Sequence, residues 1–238
     1  MFDRLVRLIR IYGNGGLIHA KFQIQGDSLI RVTIPNKNLM QYNPGSYVFL
    51  YVMTPLGFWQ SHPFSPFISR QSGEEGSLTL LSKRQGGITK NLFNQLTASN
   101  GQAQHKVLVE GFYGHTPPLR VFHTIVILSS GSGITAVYSV ADSLRNLASR
   151  GTHVVFRWIV QNESALDWAN AELESLVGVV DLNIYITQGI NERESATEKN
   201  ATSSLPVLPI TYSHDRPNVT AWVDGLVDEA KGSVAFMS

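Results

Sequence analysis

The hydrophobic pattern of this chain changes character once, at the turn-rich segment Gly114-His115-Thr116-Pro117-Pro118. Before it, short runs rich in Val, Ile, Phe and Tyr are separated by Gly, Pro and Asn. Residues 17–23, 28–34, 46–53, 77–83 and 106–110 are predicted strands. One helical stretch, 88–98, interrupts them, with Ile88, Leu92 and Leu96 on one face. Several short strands and a single helix predict an antiparallel β-barrel. After the turn, 121–128 is a continuous apolar strand. Ile134, Val137, Tyr138, Ala141, Leu144 and Ala148 then recur at helical spacing. Strand 153–160, helix 166–177, strand 180–187, helix 221–231 and strand 233–237 follow. Strands alternating with helices predict an α/β domain with a parallel sheet and crossover helices. The expected division is 1–118, the β-barrel, and 119–238, the α/β domain. The polar stretch 191–204 lacks periodicity and reads as an insertion.

Composition narrows the function classes. The chain has 238 residues, enough for two domains of ordinary size. It is 43% hydrophobic and 16% charged, so it can bury a core. A net charge of +1 argues against a general nucleic-acid surface, and no nucleic-acid partner is expected. The absence of cysteine excludes disulfides, thiolate nucleophiles and cysteine-ligated zinc or iron–sulfur centres; no metal ligands are assigned. No apolar run reaches the roughly 18 residues that span a bilayer.

Three segments could carry chemistry. His62-Pro63-Phe64-Ser65 follows a β-rich run. By its residues alone it is a turn, in which Pro fixes φ while Trp59 and Phe64 pack in the core. Lys83-Arg84-Gln85-Gly86-Gly87-Ile88-Thr89 opens a helix. A glycine pair there lets backbone N–H groups approach a phosphate, and the helix N-terminus adds partial positive charge. Lys83 and Arg84 add full charge, and Thr89 adds a hydroxyl. The same residues also make an ordinary turn and cap. Ser130-Gly131-Ser132-Gly133-Ile134-Thr135 lies at the first strand-to-helix turn of the second domain, where a parallel α/β sheet binds pyrophosphate. The full G-x-G-x-x-G fingerprint is incomplete, because Ala136 occupies the third glycine position. The plainer reading is a turn that starts a helix.

The order and spacing of these segments resemble the dehydrogenase domain of the ferric-chelate reductase and NADPH oxidase family, whose fold is ferredoxin-NADP reductase-like. Phe58-Trp59-Gln60-Ser61 is similar to its fungal-type ferric reductase branch in particular. The resemblance implies an FAD-binding barrel followed by an NADPH-binding α/β domain. It makes Ser65 the hydroxyl beside the flavin N5, and it lines the FAD with His62, Pro63 and Phe64. Lys83, Gly86, Gly87, Ile88 and Thr89 become the FAD pyrophosphate loop, and Gly114 closes the domain-joining loop. Ser130, Gly131, Ser132, Gly133, Ile134 and Thr135 become the nucleotide loop. Gln161 and Thr187 end strands near the adenosine phosphate, and Arg216 becomes a partner for the 2′-phosphate.

The implied activity passes hydride from NADPH to FAD. Single electrons then go to haem in an N-terminal membrane domain outside this chain, and on to ferric or cupric chelates. A superoxide-generating oxidase shares that chemistry and differs in its acceptor. Several positions depart from the family pattern: Phe112, Ala136, Gln161 and Asp215. They keep open a non-catalytic, regulatory reading. The family also continues past this point with Cys-Gly-Pro and a terminal aromatic, so 119–238 is expected to lack its C-terminal end. The implied location is the cytosolic face of the plasma membrane or endoplasmic reticulum, with this portion soluble. Arg4, Arg7 and Arg10 recur at every third position among aliphatic residues. They predict a helix with one basic side, suited either to anionic lipid headgroups or to packing on the barrel.

Overall fold

A computed structural model describes residues 2–26, 28–35, 42–54, 59–71, 73–74, 76–187, 211–213, 217–230 and 232–238. Phe58, the stretch 191–204, Asp215 and Arg216 lie outside the described residues, as does the side chain of Ile88.

Helix α1 (Phe2–Gly13) precedes an antiparallel sheet of seven strands: β1 (Ile18–Gln25), β2 (Leu29–Ile34), β3 (Tyr47–Val52), β4 (Ser61–Phe64), β5 (Phe67–Ile68), β6 (Leu78–Lys83) and β7 (Gln102–Tyr113). Their spatial order is β4-β3-β7-β1-β2-β6-β5. The period-2 alternation of the sequence decides which side chains point inward. On β3, Val48, Leu50 and Val52 are buried while Tyr47, Phe49 and Tyr51 face out. Ala20, Phe22, Val32, Leu80, Val107 and Val109 complete the core from neighbouring strands. Helix α2 (Gly87–Ala98) plugs it with Leu92, Phe93 and Leu96. The sheet curls until β4 lies close to β6.

The short strands β4 and β5 are not among the predicted strands, and β7 differs in length. β4 contains His62-Pro63-Phe64, which the residues alone suggested was a turn. It pairs antiparallel with β3, His62 opposite Leu50 and Pro63 opposite Phe49. It is an edge strand, so the N–H that Pro63 lacks is missed by no second neighbour. β7 is longer than predicted because it lies between β3 and β1 and pairs with both.

The second sheet is parallel, with order β11-β10-β9-β8-β12. Its strands are β8 (Thr124–Ser130), β9 (His153–Val160), β10 (Asp181–Ile186), β11 (Thr211–Ser213) and β12 (Val234–Met237). β8 and β9 are buried almost continuously, as strands covered on both faces must be. The long helix predicted after Gly133 breaks at Leu144 into α3 (Ile134–Ser143) and α4 (Arg145–Ala148). The predicted 166–177 helix begins earlier as a 3-10 turn, Glu163–Trp168, and continues as α5 (Asn170–Leu176). Helix α6 (Val219–Glu229) precedes β12.

The two sheets share an interface. Leu29, Phe67 and Leu81 of the first belong to the same apolar cluster as the parallel sheet and its helices. Buried Arg31 donates from Nη2 to Oε1 of Glu172 on α5, at 2.8 Å, and to Ser69 Oγ at 2.9 Å. Arg70 donates to both carboxylate oxygens of Asp142 on α3, and Gly45 N donates to Ser139 Oγ. These contacts fix the end of β6 against the turn that follows β8.

Candidate functional site

β8 delivers the chain into a 3-10 turn, Gly131–Gly133, and then into α3. Gly131 adopts φ +50 with open space around its Cβ position, so conformation and not crowding demands glycine there. The turn is braced from beneath. Trp158 of β9 is fully buried, and its indole N–H donates to the Gly131 carbonyl at 2.9 Å. Thr135 Oγ1 donates to the Ser132 carbonyl at 3.3 Å. Ile134 and Thr135 are buried, so their side chains anchor α3. No side chain caps α3, but its first N–H, that of Ile134, already donates to the carbonyls of the Gly131–Gly133 turn, so an anion here would meet the backbone of that turn.

Above this turn lies a cavity of about 470 Å³ at the C-terminal ends of β8, β9 and β10. It brings together Lys83, Ser130, Gly131, Ser132, Gln161 and Thr187 from the predicted site residues. Further lining comes from Gln85, inside the Lys83–Thr89 segment but assigned no role there, and from residues that no motif indicated, among them Ser28, Asn162, Ser164 and Trp168. Lys83 is the single charged residue among the described lining, which otherwise offers hydroxyls and amides. That donor set suits phosphate and ribose. Thr187 Oγ1 donates to the Val160 carbonyl at 3.1 Å and so ties the ends of β10 and β9 together. The segment 161–164 follows directly on a parallel strand. The rule that ligands gather outside the carboxyl ends of such strands would have found it. Ser28 had no such signal, since it arrives from the other sheet, and Gln85 was quoted only as part of the loop after β6.

The remaining predicted residues lie elsewhere. His62, Pro63 and Phe64 are on β4, with Ser65 just past its end. Phe64 packs on the barrel core and Pro63 is exposed. His62 Nε2 is buried with no protein partner, an orphaned group of the kind a bound ligand satisfies. Across the turn from β6, Gly86 is extended and Gly87 adopts φ +58, again with open space around it. No side chain caps α2. Thr89 Oγ1 donates to the Gly86 carbonyl at 3.0 Å and accepts from Gln85 N at 3.2 Å. Its hydroxyl therefore shapes the loop. Gly114, at φ +78, sits near Gly45 and Tyr47 at the joint between the sheets. Gly86, Gly87, Thr89, Gly114, Gly133 and the β4 residues do not line the 470 Å³ cavity.

Comparison with known proteins gives this arrangement a lineage. Residues 15–117 match a family model described as an FAD-binding domain, and 122–238 match one described as a ferric reductase NAD binding domain. Ferric reductase transmembrane component 5 of Saccharomyces cerevisiae is 32% identical over 244 residues, covering 96% of this chain and 35% of that protein. Ferric/cupric reductase transmembrane component 1 of Candida albicans is 29% identical, covering 100% of this chain and 34% of that protein. The chain thus spans about a third of the length of these relatives. Among solved structures, a ferredoxin NADP+ reductase from Neisseria gonorrhoeae with bound FAD and NADP superposes with a TM-score of 0.64. The overlay covers 93% of this chain and 84% of that one at 18% identity, which establishes the fold as ferredoxin reductase-like. The expected barrel-then-α/β architecture and its two cofactor-binding halves are therefore borne out, and the chain belongs to the ferric reductase family.

Proposed function

We propose that this chain is the dehydrogenase portion of a transmembrane metalloreductase. It passes hydride from NADPH to FAD, and electrons continue to haem in a membrane domain and then to ferric or cupric chelates. On this reading 1–118 holds the flavin, 119–238 holds the nucleotide, and both lie on the cytosolic face of a membrane. The names of the relatives, ferric and ferric/cupric reductase transmembrane components, favour a metal chelate as acceptor.

The observation that carries the reading is the shared cavity. A nucleotide there meets the glycine turn of one sheet and Lys83 of the other, so its ends address both domains. Lys83 supplies charge to phosphate, and the backbone of Gly131 and Ser132 lines the cavity beside it. The hydroxyls of Ser130, Ser132 and Thr187 suit sugar and phosphate oxygens. Gln161 offers a neutral amide where an arginine would grip a 2′-phosphate. Arg216, outside the described residues, is the remaining cation proposed for that phosphate.

FAD, when bound, supplies the hydride acceptor. The chain's own part is to bind and orient it. His62 Nε2 has a hydrogen bond to offer, Phe64 presents an aromatic wall, and Ser65 places a short hydroxyl beside the ring without blocking approach. Gly86, Gly87 and the uncapped α2 form the second anion-compatible turn. The test is flavin fluorescence quenching on titration with FAD, followed by NADPH-driven reduction of ferricyanide. Quenching that weakens in His62→Ala and Ser65→Ala is the expected result. No quenching at saturating FAD, in wild type and variants alike, would remove the flavin reading.

A further inference from the structure

Helix α1 is built inside out. Its basic side, which the sequence left free for lipid headgroups or the barrel, faces the barrel. Arg7 Nε lies 3.6 Å from Oε1 of Glu110 on β7, and the Arg10 guanidinium lies 4.5 Å from the centre of the Tyr113 ring. Glu110 is fully buried and accepts hydrogen bonds from Tyr51, at 2.6 Å, and Tyr113, at 2.7 Å. Just past the helix, the Asn14 side-chain amide donates to the carbonyls of Val109 and Gly111. The opposite face carries Leu5, Leu8, Ile9 and Tyr12, spaced i, i+3, i+4 and i+7, at 55, 62, 61 and 85% exposure. A helix on a water-facing surface turns such a stripe inward. Here it cannot roll over. Rolling would strip Arg7 from a buried carboxylate and bring leucines against it, at the cost of an unpaired buried charge.

We infer that the Leu5–Leu8–Ile9–Tyr12 face of α1 lies in the interface of an anionic lipid bilayer. The inference rests on the membrane-protein reading above and deepens it. Three features favour lipid over a second copy of the chain. The stripe is about two helical turns long, roughly 11 Å, and one helix wide, roughly 10 Å, a footprint on the order of 100 Å², far short of the ~800 Å² per partner that a stable protein interface needs. Arg7 is engaged by Glu110 and Asp3, but exposed Arg4 borders the stripe beside them and leaves that edge cationic. Tyr12 closes the stripe with an amphipathic ring of the kind that sits at headgroup level. A helix of this sort beds its apolar face about 5–10 Å into the headgroup boundary and binds reversibly.

The experiment is co-sedimentation of the full chain with vesicles of phosphatidylcholine alone and of phosphatidylcholine mixed with phosphatidylserine. Wild type should partition onto the mixed vesicles, and less onto the neutral ones. The double variant Leu8→Asp/Ile9→Asp should lose roughly tenfold or more of that partition, since two apolar side chains leave the interface. Tyr12→Ser, a milder change on an exposed site, should lose less in the same direction. Val121→Asp, at an apolar position 67% exposed on the second domain, should behave as wild type. Absence of sedimentation with both vesicle types, or equal sedimentation of wild type and both stripe variants, overturns the inference. So does self-association in sedimentation velocity that the stripe variants abolish while vesicles bind nothing, which would assign the face to a second copy. FAD quenching is read on the same samples. Its loss in wild type defeats the flavin reading and leaves the vesicle result to stand or fall alone.

Discussion

The turn from β6 into α2 and the turn from β8 into α3 share one plan and differ in support. Each has a glycine at positive φ with open space around it and a helix start that no side chain caps. The first is held locally: Thr89 reaches back three residues to Gly86 and accepts from Gln85. The second has a matching local brace, Thr135 to Ser132, and is held in addition by the core, since Trp158 arrives from a neighbouring strand, fully buried, to bond Gly131. α2 buries Leu92, Phe93 and Leu96 and leaves Gly87 and Lys90 exposed, whereas α3 is buried along most of its length. The same backbone device can thus be stabilised by sequence neighbours or by tertiary packing. Damage should spread differently from each.

The largest expected effect lies at the packed turn. Trp158→Ala opens a cavity in the parallel-sheet core and should cost about 3–5 kcal/mol in urea unfolding. The milder Trp158→Phe should weaken NADPH binding with FAD binding unchanged. Equal weakening of both ligands would show that the two turns are not supported separately.

Next in size is Gln161→Arg. A charge-assisted contact to the 2′-phosphate is worth roughly 1.5–3 kcal/mol, so the Kd ratio of NADH to NADPH should rise about tenfold or more. Wild type should discriminate weakly. A strong wild-type preference for NADPH would place the phosphate somewhere other than beside Gln161.

At the locally held turn, Thr89→Ala should cost only about 0.5–1.5 kcal/mol, one exposed hydrogen-bonded brace. It should loosen FAD more than NADPH, by fluorescence and calorimetry respectively. A loss as large as that of Trp158→Ala would erase the contrast between the turns.

The smallest effect concerns the network that brings the turns together. Glu74 accepts from Thr33, Lys21 and Arg31, and Arg31 also pairs with Glu172 across the domain interface. Burial pushes the Glu74 carboxyl up, but the hydrogen bonds from Thr33 and Lys21 and the charge of Arg31 bring it below its ordinary 4.5. The folded state therefore binds this proton less readily than the unfolded chain. Its stabilisation is present above pH 4.5 and is lost as pH falls through the lowered value. Glu74→Gln should flatten that part of the acid limb in a pH series of unfolding midpoints. An unchanged limb would mean that other carboxylates govern acid sensitivity.

The sequence by itself determined the local plan. Period-2 runs selected the inward faces of β1 and β3, continuous apolar runs marked β8 and β9 as buried on both sides, and the Gly86-Gly87 and Gly131-Ser132-Gly133 turns stood where strands pass into helices. These follow from spacing, and spacing is visible along one dimension. Packing alone decided three other matters. β4 became a strand because β3 offered it an edge, while its residues read alone as a turn. Ser28 and Gln85 entered the cavity because Arg31, Arg70 and Gly45 dock one sheet on the other. α1 turned its leucines outward because Glu110, more than a hundred residues later at mid-strand, is buried where Arg7 can reach it. Each of these outcomes depends on a partner distant in sequence. Hydrophobic periodicity says which face of an element is apolar. Only the tertiary arrangement of charges and strand edges says what that face meets.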